Sequence, residues 1–247
     1  MIQIQNLHYC YPDGTKALNN INLNISEGEF FLLCGPNGSG KTTLLRLISG
    51  LFKPTSGTIW VNGLDLLTHS KEIRTLVGII FQDPDSQILG ETVREDVSFG
   101  PENMRLPGEE IQERVYRALQ KMNLAYLSEK PCYLLSSGEK RRLAIAGVMA
   151  MKPRVILFDE PFAYLDFLGI QEVLKYMIEL HREGHTLIVT THDVEKVIAH
   201  VDRMAILQKG EIKALGKPDE VTRDLYQFGV RPPCYVLLGK EKISWLE

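Results

Sequence analysis

No apolar run in this sequence approaches the roughly 18 residues that a membrane-crossing helix needs. The longest runs, such as residues 30–34 and 155–158, are strand-sized. The N-terminus, MIQIQNLHYC, has neither a basic start nor a long apolar stretch, so no secretory signal is expected there. Cysteine is sparse: Cys10, Cys34, Cys132 and Cys234 are scattered, with no C-x-x-C pair. Free thiols in a reducing cytosol are the simplest expectation. There is no excess of positive charge. Lys and Arg number 28 against 31 Asp and Glu, a net charge of −3, which argues against a general nucleic-acid binder. Low-complexity segments and internal repeats are missing too, which excludes collagen-like, disordered and coiled-coil chains.

What remains is ordinary globular composition, 44% hydrophobic and 24% charged. At about 150 residues per domain, 247 residues make one large domain or two small ones. Such a chain can bury a core without disulfide or metal staples.

The patterning alternates between strand and helix. Ile21, Leu23 and Ile25 face one way and Asn20, Asn22 and Asn24 the other, a strand period. Residues 29–34, 59–61 and 76–81 read as further strands, and residues 41–49 as a helix. From about residue 83 to 151 the character changes. Pro84, Pro101, Pro107 and Pro131 interrupt segments that otherwise look helical, while residues 109–122 and 139–151 carry helical stripes. Strands are then expected at 155–158 and 186–191, and helices at 168–182 and 193–200. A hairpin turns at Lys209-Gly210. Buried strands alternating with helices predict an α/β fold with a mostly parallel sheet covered on both faces. Residues 83–151 are expected as an inserted α-helical subdomain, with 1–82 and 152–216 forming the core and 217–247 a short tail.

Residues 35–42, GPNGSGKT, match G-x-x-x-x-G-K-[ST] between a buried strand and a helix. Glycines let the backbone wrap closely and aim N–H groups at phosphate oxygens. The helix N-terminus adds partial positive charge. Lys41 is placed for the β- and γ-phosphates and the Thr42 hydroxyl for Mg²⁺. Residues 154–160, RVILFDE, form an apolar strand ending in two acids. A buried parallel strand delivers such residues to the ligand crevice. Asp159 is therefore a candidate Mg²⁺ ligand and Glu160 a candidate base for an attacking water.

Further segments fit one family. LSSGE at 135–139 precedes a basic-apolar helix and resembles the LSGGQ signature of ATP-binding cassette (ABC) ATPases. Gln82 ends its strand like that family's Q-loop, and TLIVTTHD places His192 like its switch histidine. Asp166 in AYLD resembles the D-loop, and Tyr11 in YCYPDG the aromatic residue that stacks on adenine. The likeness runs from Tyr11 to Gly210 in order and spacing. The segments FQDPDSQ, TVREDVSFGPENMRLP and AGVMAMKP, and the tail FGVRPPCYVLL, resemble the cobalt/nickel and energy-coupling-factor branch.

The resemblance implies a P-loop NTPase core with an N-terminal antiparallel β region. It implies ATP and Mg²⁺ held by Tyr11, Gly35, Pro36, Asn37, Gly38, Ser39, Gly40, Lys41, Thr42 and Thr43, with the metal at Thr42, Gln82 and Asp159. Lys41, Gln82, Glu160 and His192 would carry hydrolysis. Ser136, Ser137, Gly138, Glu139 and Asp166 would meet the nucleotide of a second cassette, identical or paralogous. It also implies a transmembrane partner, seated between Gln82–Gln87 and the helical subdomain, and a peripheral place on the cytoplasmic face of the membrane. Leu89 and Phe99 are expected to line that socket or to belong to the subdomain core. The sequence departs from the pattern at Ser137, Glu139, Phe162 and Phe167; none of these removes Lys41, Asp159, Glu160 or His192. Two other functions compete: a soluble non-transport ABC ATPase and a weakly hydrolysing regulatory subunit. His181, His185 and the run Lys140-Arg141-Arg142 are expected on solvated surfaces.

Overall fold

The computed structural model describes residues 1–246. In chain order the larger elements are β1 (Ile2–Cys10), β2 (Lys16–Ile25), β3 (Phe30–Cys34), α1 (Lys41–Ile48), β4 (Ser56–Val61), β5 (Leu64–Asp65), α2 (Ser70–Leu76) and β6 (Val77–Ile80). Then come α3 (Val93–Asn103), α4 (Gly108–Lys121), α5 (Ser137–Ala150), β7 (Val155–Asp159), α6 (Phe167–Arg182), β8 (Thr186–Thr191), β9 (Arg203–Gln208) and β10 (Glu211–Gly216). Two short helices, α7 (Pro218–Val221) and α8 (Cys234–Leu238), follow.

Among the described residues the strands form two sheets. One has four strands in the order β2-β1-β4-β5, all antiparallel. The other has six in the order β10-β9-β3-β8-β7-β6, parallel except for β10. Its central strands are apolar on both faces. Phe30, Leu32, Ile156, Phe158, Leu187 and Val189 point into one core with α4, α5 and α6. Phe31, Leu33, Val155, Leu157 and Ile188 point into a second core, with α1 and the four-stranded sheet. A two-residue side-chain period with both sides buried gives continuous apolar runs, which is why FFLLC and VILFD show no alternation. The helices α3, α4 and α5 all fall between β6 and β7.

Three expectations shift. The strand expected at 76–81 is shorter, because Leu76 closes α2. Pro101 lies inside α3 rather than ending it. It sits near the C-terminus, where it forfeits one helical hydrogen bond. Residues 193–200 form two 3-10 turns, Val194–Lys196 and Ile198–His200, instead of one helix. A period of three brings Val194 and Val197 to the same buried side.

His181 and His185 are half-buried and each meets a backbone carbonyl, rather than standing free in solvent. His181 Nε2 lies 2.9 Å from the Gly28 carbonyl and 3.4 Å from Asp202, with its ring edge-on to Phe30. His185 Nδ1 lies 2.8 Å from the Pro153 carbonyl. Both fasten loops at the N-terminal edge of the parallel strands. The ligand crevice of such a sheet lies at the other edge.

Candidate nucleotide site

The strand order β3-β8-β7 brings three chain segments together at the carboxyl ends. Cys34 pairs with Thr191 and Asp159 with Thr190. The next residues are therefore neighbours: the Gly-rich loop after β3, Glu160 after β7 and His192 after β8. A cavity of about 380 Å³ opens there. Tyr11, Lys16, residues 37–43, Gln82 and Glu160 line it.

The loop is shaped by close contact from below. A Cβ on Gly35 would stand 2.0 Å from the Leu207 carbonyl oxygen, so only glycine fits. Gly40 has φ 107° and no room either, with the Ala17 carbonyl oxygen 2.7 Å from where a Cβ would be. It caps α1 without any side-chain hydrogen bond, and no acidic residue occupies the first turn. The first N–H groups of α1 are left for an anion. The Ser39 hydroxyl is buried and has no protein partner, so a phosphate oxygen in the cradle would complete it. The loop is also propped by the β9–β10 turn. Lys209 and Gly210 both have positive φ, and the Gly210 N–H donates to the Ser39 carbonyl at 3.0 Å.

Lys41, Asp159 and Glu160 are all buried. The Lys41 ammonium donates to the carbonyls of Gly35 at 2.8 Å and Pro36 at 3.2 Å. It lies 3.8 Å from Glu160. Burial pulls its pKa below the usual lysine range, and Glu160 and Asp159 work against that shift. The Thr42 hydroxyl donates to Asp159 Oδ1 at 3.0 Å, and Thr190 donates to the same oxygen at 2.7 Å. His192 Nδ1 lies 3.0 Å from Glu160 Oε1, which also accepts the His192 N–H at 3.1 Å. Glu160 holds φ at 45°, an uncommon conformation that turns its side chain toward both Lys41 and His192. The Tyr11 hydroxyl bonds Thr43 at 2.8 Å, and its ring stands edge-on to Tyr9 and Phe52.

The other expected site residues lie elsewhere. Ser136 caps α5: its hydroxyl accepts from the Glu139 N–H, and the Glu139 carboxylate accepts from the Ser136 N–H at 2.7 Å. Glutamate serves this capping box as glutamine does, which accounts for one departure from the signature. Ser137 is exposed, and nothing lies within 4 Å of a Cβ built on Gly138. Asp166 caps α6 through the Gly169 N–H at 2.8 Å. Phe162 is buried beneath Lys196, and the exposed Phe167 ring packs on Trp245.

The run Lys140-Arg141-Arg142 is not a solvated face. Lys140 pairs with Asp85 and Arg142 with Glu172. Arg141 is 2% exposed and donates to the Phe81 and Gln82 carbonyls. Helix α5 docks on the end of β6, which turns this side inward. A second cavity of about 770 Å³ lies nearby, between β6, α3 and α5. Leu89 and Phe99 line it and are 66% and 48% exposed, so they belong to a groove and not to the subdomain core.

A strand-to-helix phosphate cradle, with a buried Lys41–Glu160 pair at the strand ends and the exposed His192 bonded to Glu160, defines a P-loop nucleotide hydrolase. The comparisons narrow it further. The ABC transporter family profile matches residues 18–163. The energy-coupling factor transporter ATP-binding protein EcfA of Methanocaldococcus jannaschii is 41% identical over 228 residues, 91% of this chain and 82% of that one. EcfA3 of Clostridium perfringens is 41% identical over 225 residues, 90% and 79% of the two chains. Among solved structures, cbiO1 of Clostridium perfringens, part of the ABC transporter complex cbiONQ, superposes with a TM-score of 0.81. It is 40% identical and covers 90% of each chain. A dimeric post-hydrolysis state of the ATP-binding cassette MJ0796 with ADP and Pi gives 0.79 at 31% identity, covering 88% of this chain and 99% of that one. The chain belongs to the ABC transporter family, and it is an ABC-type ATPase. No helix among the described residues is long and apolar enough to cross a membrane.

Two features escaped the sequence reading: the Arg141 bonds to the Q-loop backbone and the Gly210 prop under the phosphate loop. Both join positions far apart in the chain, and neither has a local motif.

Proposed function

We propose that this chain is a single ATPase domain that energises a membrane importer of the energy-coupling-factor or cobalt/nickel kind. It works as one half of a cassette pair at the cytoplasmic face of the membrane. The observation that carries this reading is the meeting of Lys41, Glu160 and His192 beside a cradle with an unpartnered Ser39 hydroxyl.

The backbone N–H groups from Asn37 to Lys41 wrap the phosphates. Lys41 turns from the Gly35 and Pro36 carbonyls to the β- and γ-phosphate oxygens. Tyr11 stacks on the base, and Thr43 exchanges its bond to Tyr11 for the nucleotide. The Thr42 hydroxyl and Asp159 carboxylate already converge, and hard oxygens of this kind suit Mg²⁺. Gln82 lines the cavity that Thr42 and Asp159 share, and its side-chain oxygen would complete that set. Bound Mg²⁺ would neutralise phosphate charge as it develops. Glu160 accepts a proton from the attacking water, and His192 holds the γ-phosphate beside it.

The signature residues and Asp166 act on the nucleotide of the second copy. Ser136 keeps its O–H proton free to donate, since its oxygen already accepts from Glu139. ATP then favours the closed pair through contacts that hydrolysis removes. The groove at Leu89 and Phe99 takes a cytoplasmic helix of the transmembrane subunit, and no nucleic acid is involved.

Mg·ATP turnover measured against protein concentration tests the whole reading. The rate should rise faster than linearly, and Glu160→Gln should lower it by about 10²- to 10⁴-fold. A Glu160→Gln protein that turns over at the wild-type rate would remove Glu160 from the chemistry.

A further inference from the structure

Arg141 carries a charge where charge is expensive. It lies on the second turn of α5, 2% exposed, with no ion-pair partner among the described residues. Its Nη1 donates to the Phe81 carbonyl at 2.7 Å and its Nη2 to the Gln82 carbonyl at 2.6 Å. Its Nε–H is buried and unpartnered. Burial lowers its pKa, and Asp83 opposes that shift. Removing a guanidinium from water is costly unless its donors are satisfied, and an apolar residue could fill this space at less cost. What an apolar residue could not do is hold two successive carbonyls at once. The planar fork of arginine does so from one rigid group.

The held segment is functional at both ends. Gln82 lines the phosphate cavity, and it also lines the neighbouring cavity that Thr42 and Asp159 share. Residues 81–87 are stitched to α5 at further points. Gln87 accepts from the Phe81 N–H and donates to the Ala144 carbonyl, and Lys140 pairs with Asp85 at 2.5 Å. The N-terminus of that same helix is the Ser136–Glu139 cap.

We infer that Arg141 is a positioning residue for hydrolysis: it ties the Phe81–Gln82 backbone to the signature helix, so that Gln82 reaches the nucleotide only from the place α5 allows. The inference rests on the role proposed above for Gln82. One helix then links the Q-loop of a cassette to the signature that serves its neighbour. A displaced helical subdomain withdraws Gln82 from its own site.

A mutant cycle tests this: Arg141→Met, Gln82→Ala and the double variant, with kcat, KM and the equilibrium Kd for ADP measured for each. Arg141→Met should lower kcat by about 10- to 100-fold, as sub-ångström misplacement of a reacting group does. ADP affinity should stay within about twofold, since Lys41 and the loop are untouched. The double variant should be no slower than Gln82→Ala alone. Arg141→Lys keeps the charge and part of the reach, and should recover part of kcat. It replaces Arg141→Met in the cycle if the latter does not fold. Full turnover in Arg141→Met, or losses that multiply in the double variant, would overturn the inference while leaving Gln82 its role. Wild-type turnover in Gln82→Ala would overturn the role of Gln82 itself, and the inference with it.

Discussion

The two halves of the nucleotide machinery are built in opposite ways. On the phosphate-loop side, Lys41, Asp159 and Glu160 are buried, and besides the loop carbonyls that Lys41 meets they are held by contacts between segments far apart in the chain. On the signature side, Ser136, Ser137 and Asp166 are exposed, and their hydrogen bonds reach only three residues along the chain. Burial at the strand ends fixes the first set before any ligand arrives. Capping fixes the second set without covering it. Helix ends kept ordered by their own side chains, with open space at Gly138, are surfaces prepared for something to approach. The first half should therefore act within one chain, and the second on another chain.

That division is broken or upheld most sharply by mixing inactive variants. Lys41→Met should lower Mg·ATP affinity about 100-fold, because a charge-assisted contact to phosphate is lost from a buried site. Gly138→Val should leave affinity unchanged and lower turnover about 100-fold, the scale of losing an aligned donor. In a mixed pair one composite site is dead twice over and the other is intact. Equal mixing should therefore restore about a quarter of wild-type turnover if assembly is random and the sites act independently. No recovery on mixing, with both variants folded, would mean that each chain works with its own signature.

Tyr11 probes the cis side alone. Its ring is edge-on to Tyr9 at 5.1 Å and to Phe52 at 6.1 Å, and its hydroxyl is held by Thr43. Tyr11→Ala should raise KM for ATP about 10-fold with kcat nearly unchanged, since base stacking is worth about 1–3 kcal/mol. Tyr11→Phe should stay within about twofold, because the ring remains and only the Thr43 bond goes. A fall in kcat in Tyr11→Phe would show that the Tyr11–Thr43 bond matters to chemistry and not only to binding.

The motifs that were legible in the sequence are contiguous. GPNGSGKT, the apolar strand ending in Asp159 and Glu160, and TTHD each carry their own setting: a strand before and a turn or helix after. The α/β alternation was legible because both faces of the central sheet are covered, which yields apolar runs such as FFLLC. What was not legible depends on which face of a helix turns inward. KRR reads as solvated by composition, yet its middle residue is among the most buried side chains in the chain. His181 and His185 likewise read as surface groups, and only the loop arrangement shows the carbonyls they meet. Helix α3 was obscured by Pro101, which a late helical position tolerates.

The smallest expected effect bears on the signature side. Glu139 replaces glutamine in the capping box, and the Ser136 N–H, chiefly, holds its carboxyl below the usual range. A lowered folded pKa means that the stabilisation is present above the unfolded value of about 4.5 and is lost as pH falls through the folded one. The group is partly exposed, so the effect is screened. Glu139→Gln keeps the cap geometry but loses the favourable charge at a helix N-terminus, worth about 0.3–1 kcal/mol at most. Thermal melts should show the variant slightly less stable at pH 7, with the gap closing only as pH falls below about 4.5 and through the lowered folded value. In the proposed pairing the signature cap meets the phosphates bound by the second copy, and like charges repel. ATP-driven association of Glu139→Gln should therefore be tighter than wild type even as the monomer weakens. A variant that loses both monomer stability and association would place Glu139 in the cap alone, with no charge felt across the pair.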